Sequence, residues 1–174
     1  MNFQRCLEAL YERRSLKLDL QAMQQALVLL GSPHLACPFV LVGGTNGKGS
    51  TSALIAAVLR QAGFRVGHYT SPHLLRYAER IQINGEMLEN TELAELLSKA
   101  MELDKALLRP LSFFECTTVA AFLAFARHRI DIGVLEVGLG GRLDATNVAP
   151  RKLAVLTPIA LDHEQYLGTS LESI

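Results

Sequence analysis

The chain has 174 residues, 49% of them hydrophobic and 20% charged, a composition that supports one globular core and excludes a disordered polymer. Its 17 basic and 17 acidic residues cancel, which removes the chain-wide positive field of most nucleic-acid binders and points to small-molecule partners, with neither nucleic acid nor a membrane. No apolar run is long enough to span a bilayer, the start Met-Asn-Phe-Gln-Arg-Cys lacks a leader pattern, and Cys6, Cys37 and Cys116 lie apart among apolar residues; the expectation is a cytoplasmic protein with reduced thiols and no zinc site.

Phe3, Cys6, Leu7, Leu10 and Tyr11 share one face of a first helix. A second is expected from Asp19 as N-cap, through Leu20, Met23, Leu27 and Leu30, to Gly31. Phe39-Val40-Leu41-Val42 reads as a buried strand ended by two glycines, and Ser50 to Ala62 as a helix closed by Gly63. A short strand follows at Val66 to Thr70. Asn84-Gly85 joins Arg80-Ile83 to Glu86-Leu88 as a hairpin, after which Thr91 opens a helix reaching about Lys105. Phe113 to His128 is a mostly buried helix, and Asp131 to Val137 and Leu153 to Thr157 are two further core strands. The alternation predicts an α/β fold with a mostly parallel sheet flanked by helices.

Between the first core strand and its helix stands Val-Gly-Gly-Thr-Asn-Gly-Lys-Gly-Ser-Thr, residues 42 to 51. A phosphate-binding loop needs glycines for close backbone approach, a lysine for the β and γ phosphates, and a hydroxyl at the helix start. Gly44, Thr45, Asn46, Gly47, Lys48, Gly49 and Ser50 supply these parts, although the spacing departs from the strict P-loop pattern. A glycine-rich turn with a solvated lysine is the rival reading. In Ile132 to Val137, Glu136 is the one carboxylate in an apolar run; it is a magnesium ligand, a group paired with Arg142, or a group lying at an exposed strand end. The glycine-rich loop 138 to 147 follows it, and Asp162-His163 follows the last strand, both where open α/β sheets bind ligands.

"GTNGKGST", "YTSPHLLRYAERIQING", "LSFFECTT", "LEVGLGGRLDATN" and "TPIALDHEQYLG", in that order, resemble the N-terminal ATPase domain of the folylpolyglutamate synthase/dihydrofolate synthase family, relatives of the Mur ligases, and most closely its bifunctional bacterial type. The resemblance implies a P-loop fold like the central ATPase domain of Mur ligases, here truncated, with residues 1 to 174 forming an incomplete N-terminal ATP-binding domain. It also implies an ATP-dependent carbon–nitrogen ligase that phosphorylates a carboxylate of dihydropteroate or a folate and passes the acyl group to L-glutamate. Lys48, Glu136 and His163 would be catalytic, and Ser71, Glu136 and His163 would hold Mg²⁺. Phe113, Phe114, Glu115, Leu143, Asp144 and Ala145 would bind the pterin, with an aromatic ring stacking on it and Asp144 accepting its N–H groups. The chain ends at Leu-Glu-Ser-Ile, short of the family's Glu-Lys-Ala-Gly stretch with its carbamylated lysine, and without the C-terminal domain that contributes adenine and glutamate contacts. The fragment alone is therefore expected to retain at most phosphate and pterin binding and not to turn over, and the full-length protein to be a monomer. A Mur-type ligase acting on a cell-wall precursor and a non-catalytic nucleotide-binding module remain the alternatives.

Overall fold

The computed structural model describes residues 2–13, 15, 17 and 19–172; Ser173 and Ile174 of the terminal Leu-Glu-Ser-Ile lie outside them. A six-stranded sheet carries β1 (Phe39–Gly43), β2 (Val66–Tyr69), β3 (Ile81–Ile83), β4 (Glu86–Met87), β5 (Ile132–Glu136) and β6 (Arg151–Leu156) in the order β4-β3-β2-β5-β1-β6. β2, β5, β1 and β6 run parallel, and the β3-β4 hairpin adds antiparallel strands at one edge. Asn84 and Gly85 both take positive φ at the tip of that hairpin, as a two-residue turn requires.

Strand parity sorts the side chains to two faces. Phe39, Leu41, Tyr69 and Leu135 join the large core formed with α1 (Phe3–Tyr11), α2 (Gln21–Leu29), α4 (Asn90–Glu102) and α5 (Phe113–Arg127). Val40, Val42, Val66 and Val134 face the other way, against Ile55, Ala56 and Leu59 of α3 (Lys48–Gln61). A one-residue slip would exchange these two sets, so the pattern fixes the register. The α4 and α5 crossover covers one face and α3 the other, with α6 (Glu164–Leu167) beyond β6.

Three helix starts differ from expectation by one or two residues, none of them with a side-chain cap at the N-cap residue. Leu20, not Asp19, is the α2 N-cap, while Asp19 Oδ1 accepts the Gln21 N–H at 3.2 Å. α4 begins at Asn90 rather than Thr91 and breaks into a 3₁₀ turn, Leu103–Ala106, at its end. α3 begins at Lys48 rather than Ser50, because Gly47, at φ +83°, already turns the chain into the helix. For α5, Ser112 and Glu115 form a reciprocal capping box.

β1 and β5 are neighbours whose outgoing connections diverge. The chain leaves β1 through α3 on one face, and leaves β5 through a loop whose Ala145 and Ala149 pack into the core on the other. Such a reversal opens a crevice at the carboxyl ends of the two strands.

Candidate active site

Residues 44 to 50 occupy the β1 side of this crevice. The loop is tied to the end of β6: Thr157 N–H donates to Gly43 O at 2.8 Å, Thr45 N–H to Pro158 O at 3.0 Å, and Thr45 Oγ1 to Ala160 O at 3.0 Å. Lys48 starts α3 and folds back, Nζ donating to Gly44 O at 2.8 Å and Thr45 O at 3.0 Å. The lysine is thus not a solvated tip but a bridge across its own loop. The N–H groups of the first turn of α3 have no carbonyl one turn back, which leaves them available to an anion.

Glu136 ends β5 on the α3 face, opposite Val42 in register. It is 4% exposed, so a core strand has delivered a carboxylate to a nearly dry position. Its Oε2 accepts from Thr70 Oγ1 and, at 3.0 Å, from the Ser71 N–H. Oε1 accepts nothing among the described residues and lies 3.4 Å from where a Cβ on Gly49 would stand. Loop and carboxylate are thus in direct contact at position 49. The alternative pairing with Arg142 is not formed; Arg142 is exposed, and its carbonyl accepts from Asn147 Nδ2.

Two cavities flank this junction. The first, of about 300 Å³, collects all six residues expected to bind a pterin, Phe113, Phe114, Glu115, Leu143, Asp144 and Ala145, together with Ser71 and Arg80. The second, of about 660 Å³, is lined by Gly44, Thr45, Lys48, Asp162 and His163 among others. Gly138, Leu139 and Leu143 belong to both, so one loop forms their common wall.

No protein-family model matches the chain. The dihydrofolate synthase/folylpolyglutamate synthase of Buchnera aphidicola subsp. Schizaphis graminum is 45% identical over 146 residues, covering 83% of this chain and 34% of that protein. The Escherichia coli (strain K12) protein of the same name is 44% identical over 142 residues, covering 79% of this chain and 32% of its own length. E. coli FolC in complex with DHPP and ADP superposes over 99% of this chain and 42% of that one, with a TM-score of 0.93 and 38% identity. The chain belongs to the dihydrofolate synthase/folylpolyglutamate synthase family. It spans about a third of the length of these sequence relatives.

Within this family member the expected site residues divide by what they touch. Phe113 and Phe114 are half-buried and line the first cavity; Phe113 stacks on Tyr11 at 5.3 Å between ring centroids, and Phe114 packs on Tyr69 at 5.9 Å. Asp144 lines the first cavity and is also engaged by its own loop. Its Oδ2 accepts from Gly138 N and Leu139 N at 3.0 and 2.9 Å, and its Oδ1 from Thr146 N and Oγ1 at 2.9 and 2.5 Å. A carboxylate offers about four acceptor positions, so those of Asp144 are filled by its own loop. Burial pushes its pKa up against these hydrogen bonds. Glu115 is likewise engaged, accepting from both terminal nitrogens of Arg109 at 2.8 and 2.9 Å and from the Ser112 N–H.

His163 lines the second cavity, is more than half exposed, and has its Nε2 3.9 Å from Asp162 Oδ2. Among the described residues no three His, Cys, Asp or Glu side chains converge on one point. Ser71 is joined to Glu136 by a hydrogen bond, while His163 lines the second cavity. Sequence reasoning missed Arg80 and Lys17 in the first cavity, and Arg109, which holds Glu115 from outside the lining. The available signal was Arg80 itself, a charge standing immediately before the strand Ile81–Ile83.

Proposed function

We propose that this chain is the nucleotide- and pterin-binding part of an ATP-dependent carbon–nitrogen ligase, residues 1 to 174 forming an N-terminal domain of a longer cytoplasmic enzyme. The substrates are dihydropteroate or folates and L-glutamate. The observation that carries this reading is the shared wall: a cavity holding the phosphate loop and one lined by aromatic rings meet at Gly138, Leu139 and Leu143, beside Ser71 and Glu136. The ligands of the E. coli structure, DHPP and ADP, support the same pairing.

Free carboxylates are poor acyl donors because oxide is a poor leaving group, so activation must come first. A carboxylate oxygen of the pterin acid attacks the γ-phosphorus, the bond to the bridging oxygen breaks, and ADP leaves. The amine nitrogen of glutamate then attacks the acyl carbon, orthophosphate departs, and loss of a proton from nitrogen leaves an amide. Lys48 would exchange its two loop carbonyls for phosphate oxygens, and the first-turn N–H groups of α3 would orient them. Phe113 and Phe114 would hold the flat ring, and the loop 138 to 143 would separate the two ligands except at the reacting end.

Magnesium takes one or two carboxylates with phosphate oxygens and water, and the donors present fit it: Glu136 Oε1 is unpaired among the described residues and faces the loop. Glu136 and Ser71 would hold the ion, which when bound neutralises charge on the transferring group. Including His163 rests on the family resemblance alone, since imidazole is an uncommon magnesium ligand.

Calorimetric titration of the chain with ATP and Mg²⁺ tests the nucleotide half. One-to-one binding is predicted, weakened about tenfold or more in Lys48→Ala, the usual scale for losing a charged hydrogen-bonding partner. Binding indifferent to Lys48, or none, would count against the reading.

A further inference from the structure

The buried charges that line the first cavity are matched, with one exception. Glu115 is held by Arg109 and Asp144 by its own loop. Arg80, 7% exposed, has no carboxylate within ion-pair distance among the described residues. Its Nε donates to His73 Nδ1 at 2.8 Å. Its guanidinium carbon lies 5.2 Å from the Phe113 ring centroid and 5.8 Å from that of Tyr77, so the group is packed on two aromatic rings. These contacts fix its plane and leave both terminal nitrogens without an acceptor among the described residues.

A nearly buried cation without a counter-ion is unfavourable unless a ligand completes it. The guanidinium fork matches the two oxygens of a carboxylate. Its position in the fold is equally telling. Thr70 N–H donates to the Arg80 carbonyl at 3.0 Å, and Thr70 and Ser71 are the residues that reach Glu136. Arg80 therefore enters β3 beside the segment, Thr70 and Ser71, that reaches Glu136.

We propose that Arg80 grips the carboxylate of the pterin acid through its terminal nitrogens, presenting it at the junction of the two cavities, and that His73 is the positioning residue that holds the guanidinium by accepting from Nε. This rests on the reading of the cavity as a pterin-acid site. The acid would be bound by its charge at Arg80, beside Phe113, with its flat ring packed against the remaining lining of the same cavity.

The test is titration of pteroate and of its neutral carboxamide into the unaltered chain and into Arg80→Met, Arg80→Lys and His73→Ala, with thermal melts to establish folding. The unaltered chain should prefer the acid about tenfold or more, as a charged hydrogen-bonded pair would give. Arg80→Met should bind acid and amide alike, at the affinity the unaltered chain has for the amide. Arg80→Lys should keep part of the preference, and His73→Ala should reduce it without changing amide affinity. Equal binding of acid and amide by the unaltered chain, or an Arg80→Met that weakens both equally, would overturn the proposal while leaving the pterin cavity intact. If the unaltered chain binds neither ligand, the cavity reading itself fails and the assignment of Arg80 with it. Should Arg80→Met not fold, the acid preference of the unaltered chain and its reduction in Arg80→Lys decide the matter.

Discussion

His68 shows how one side chain couples this fold to pH. It sits on the α3 face of β2, 7% exposed, with Nε2 3.0 Å from Ser52 Oγ. Burial, with no counter-charge, lowers its pKa from 6.5 to about 4. The unfolded chain takes up this proton below about pH 6.5 and the folded chain resists until about 4, so the stability tied to neutral His68 is present above that window and lost on descending through it. The shift corresponds to roughly 3 kcal/mol at about 1.4 kcal/mol per unit. Urea denaturation at pH 7, 5.5 and 4 should show this loss, and His68→Gln should flatten the profile; an unchanged slope in the variant would assign the acid sensitivity elsewhere. At this scale the sequence was partly readable. Glu136 stood out because a lone carboxylate in an apolar strand demands compensation. The task of Asp144 was hidden, because four donors from residues 138, 139 and 146 decide it, and only the folded loop brings them together.

Among the elements, the connection from β5 to β6 contributes most to the site for its length. It contains no long helix, only the 3₁₀ turn Ala145–Val148 capped by Asp144. Asp144→Ala would leave the N–H groups of Gly138, Leu139 and Thr146 and one hydroxyl without their acceptor at a nearly buried position. At about 1 to 3 kcal/mol per orphaned group, with partial rehydration, a net loss of roughly 3 kcal/mol is predicted by urea denaturation. Asp144→Asn, which keeps one acceptor oxygen, should lose less. Equal stability of Asp144→Ala and the unaltered protein would mean that the loop is organised by something else. The strand, glycine-rich loop and helix around Lys48 were legible because each carries a local signature. The 3₁₀ turn was not, because a single side chain rather than hydrophobic periodicity creates it.

For the molecule as a whole, strand alternation was enough to anticipate a mostly parallel sheet, and parity explains why Glu136 faces the phosphate loop rather than the larger core. The order β4-β3-β2-β5-β1-β6 was not readable, since it depends on which crossover covers which face. That order places the switch between β1 and β5, and the two cavities follow from it. β6 forms one edge, with Leu153 and Leu156 more than half exposed, and α3 shows Leu54 and Val58 on its outer side. With about 40% of the length of its structural relatives, the chain holds both cavities and their junction.

The central claim is that nucleotide and pterin acid bind side by side across the loop 138 to 143. The most direct measurement is a calorimetric titration of dihydropteroate into the chain already saturated with the non-hydrolysable analogue AMPPCP and Mg²⁺. The account predicts one-to-one binding that persists under nucleotide saturation and is weakened in Phe113→Ala. Displacement of the nucleotide by dihydropteroate, or dihydropteroate binding that is indifferent to Phe113, would contradict it.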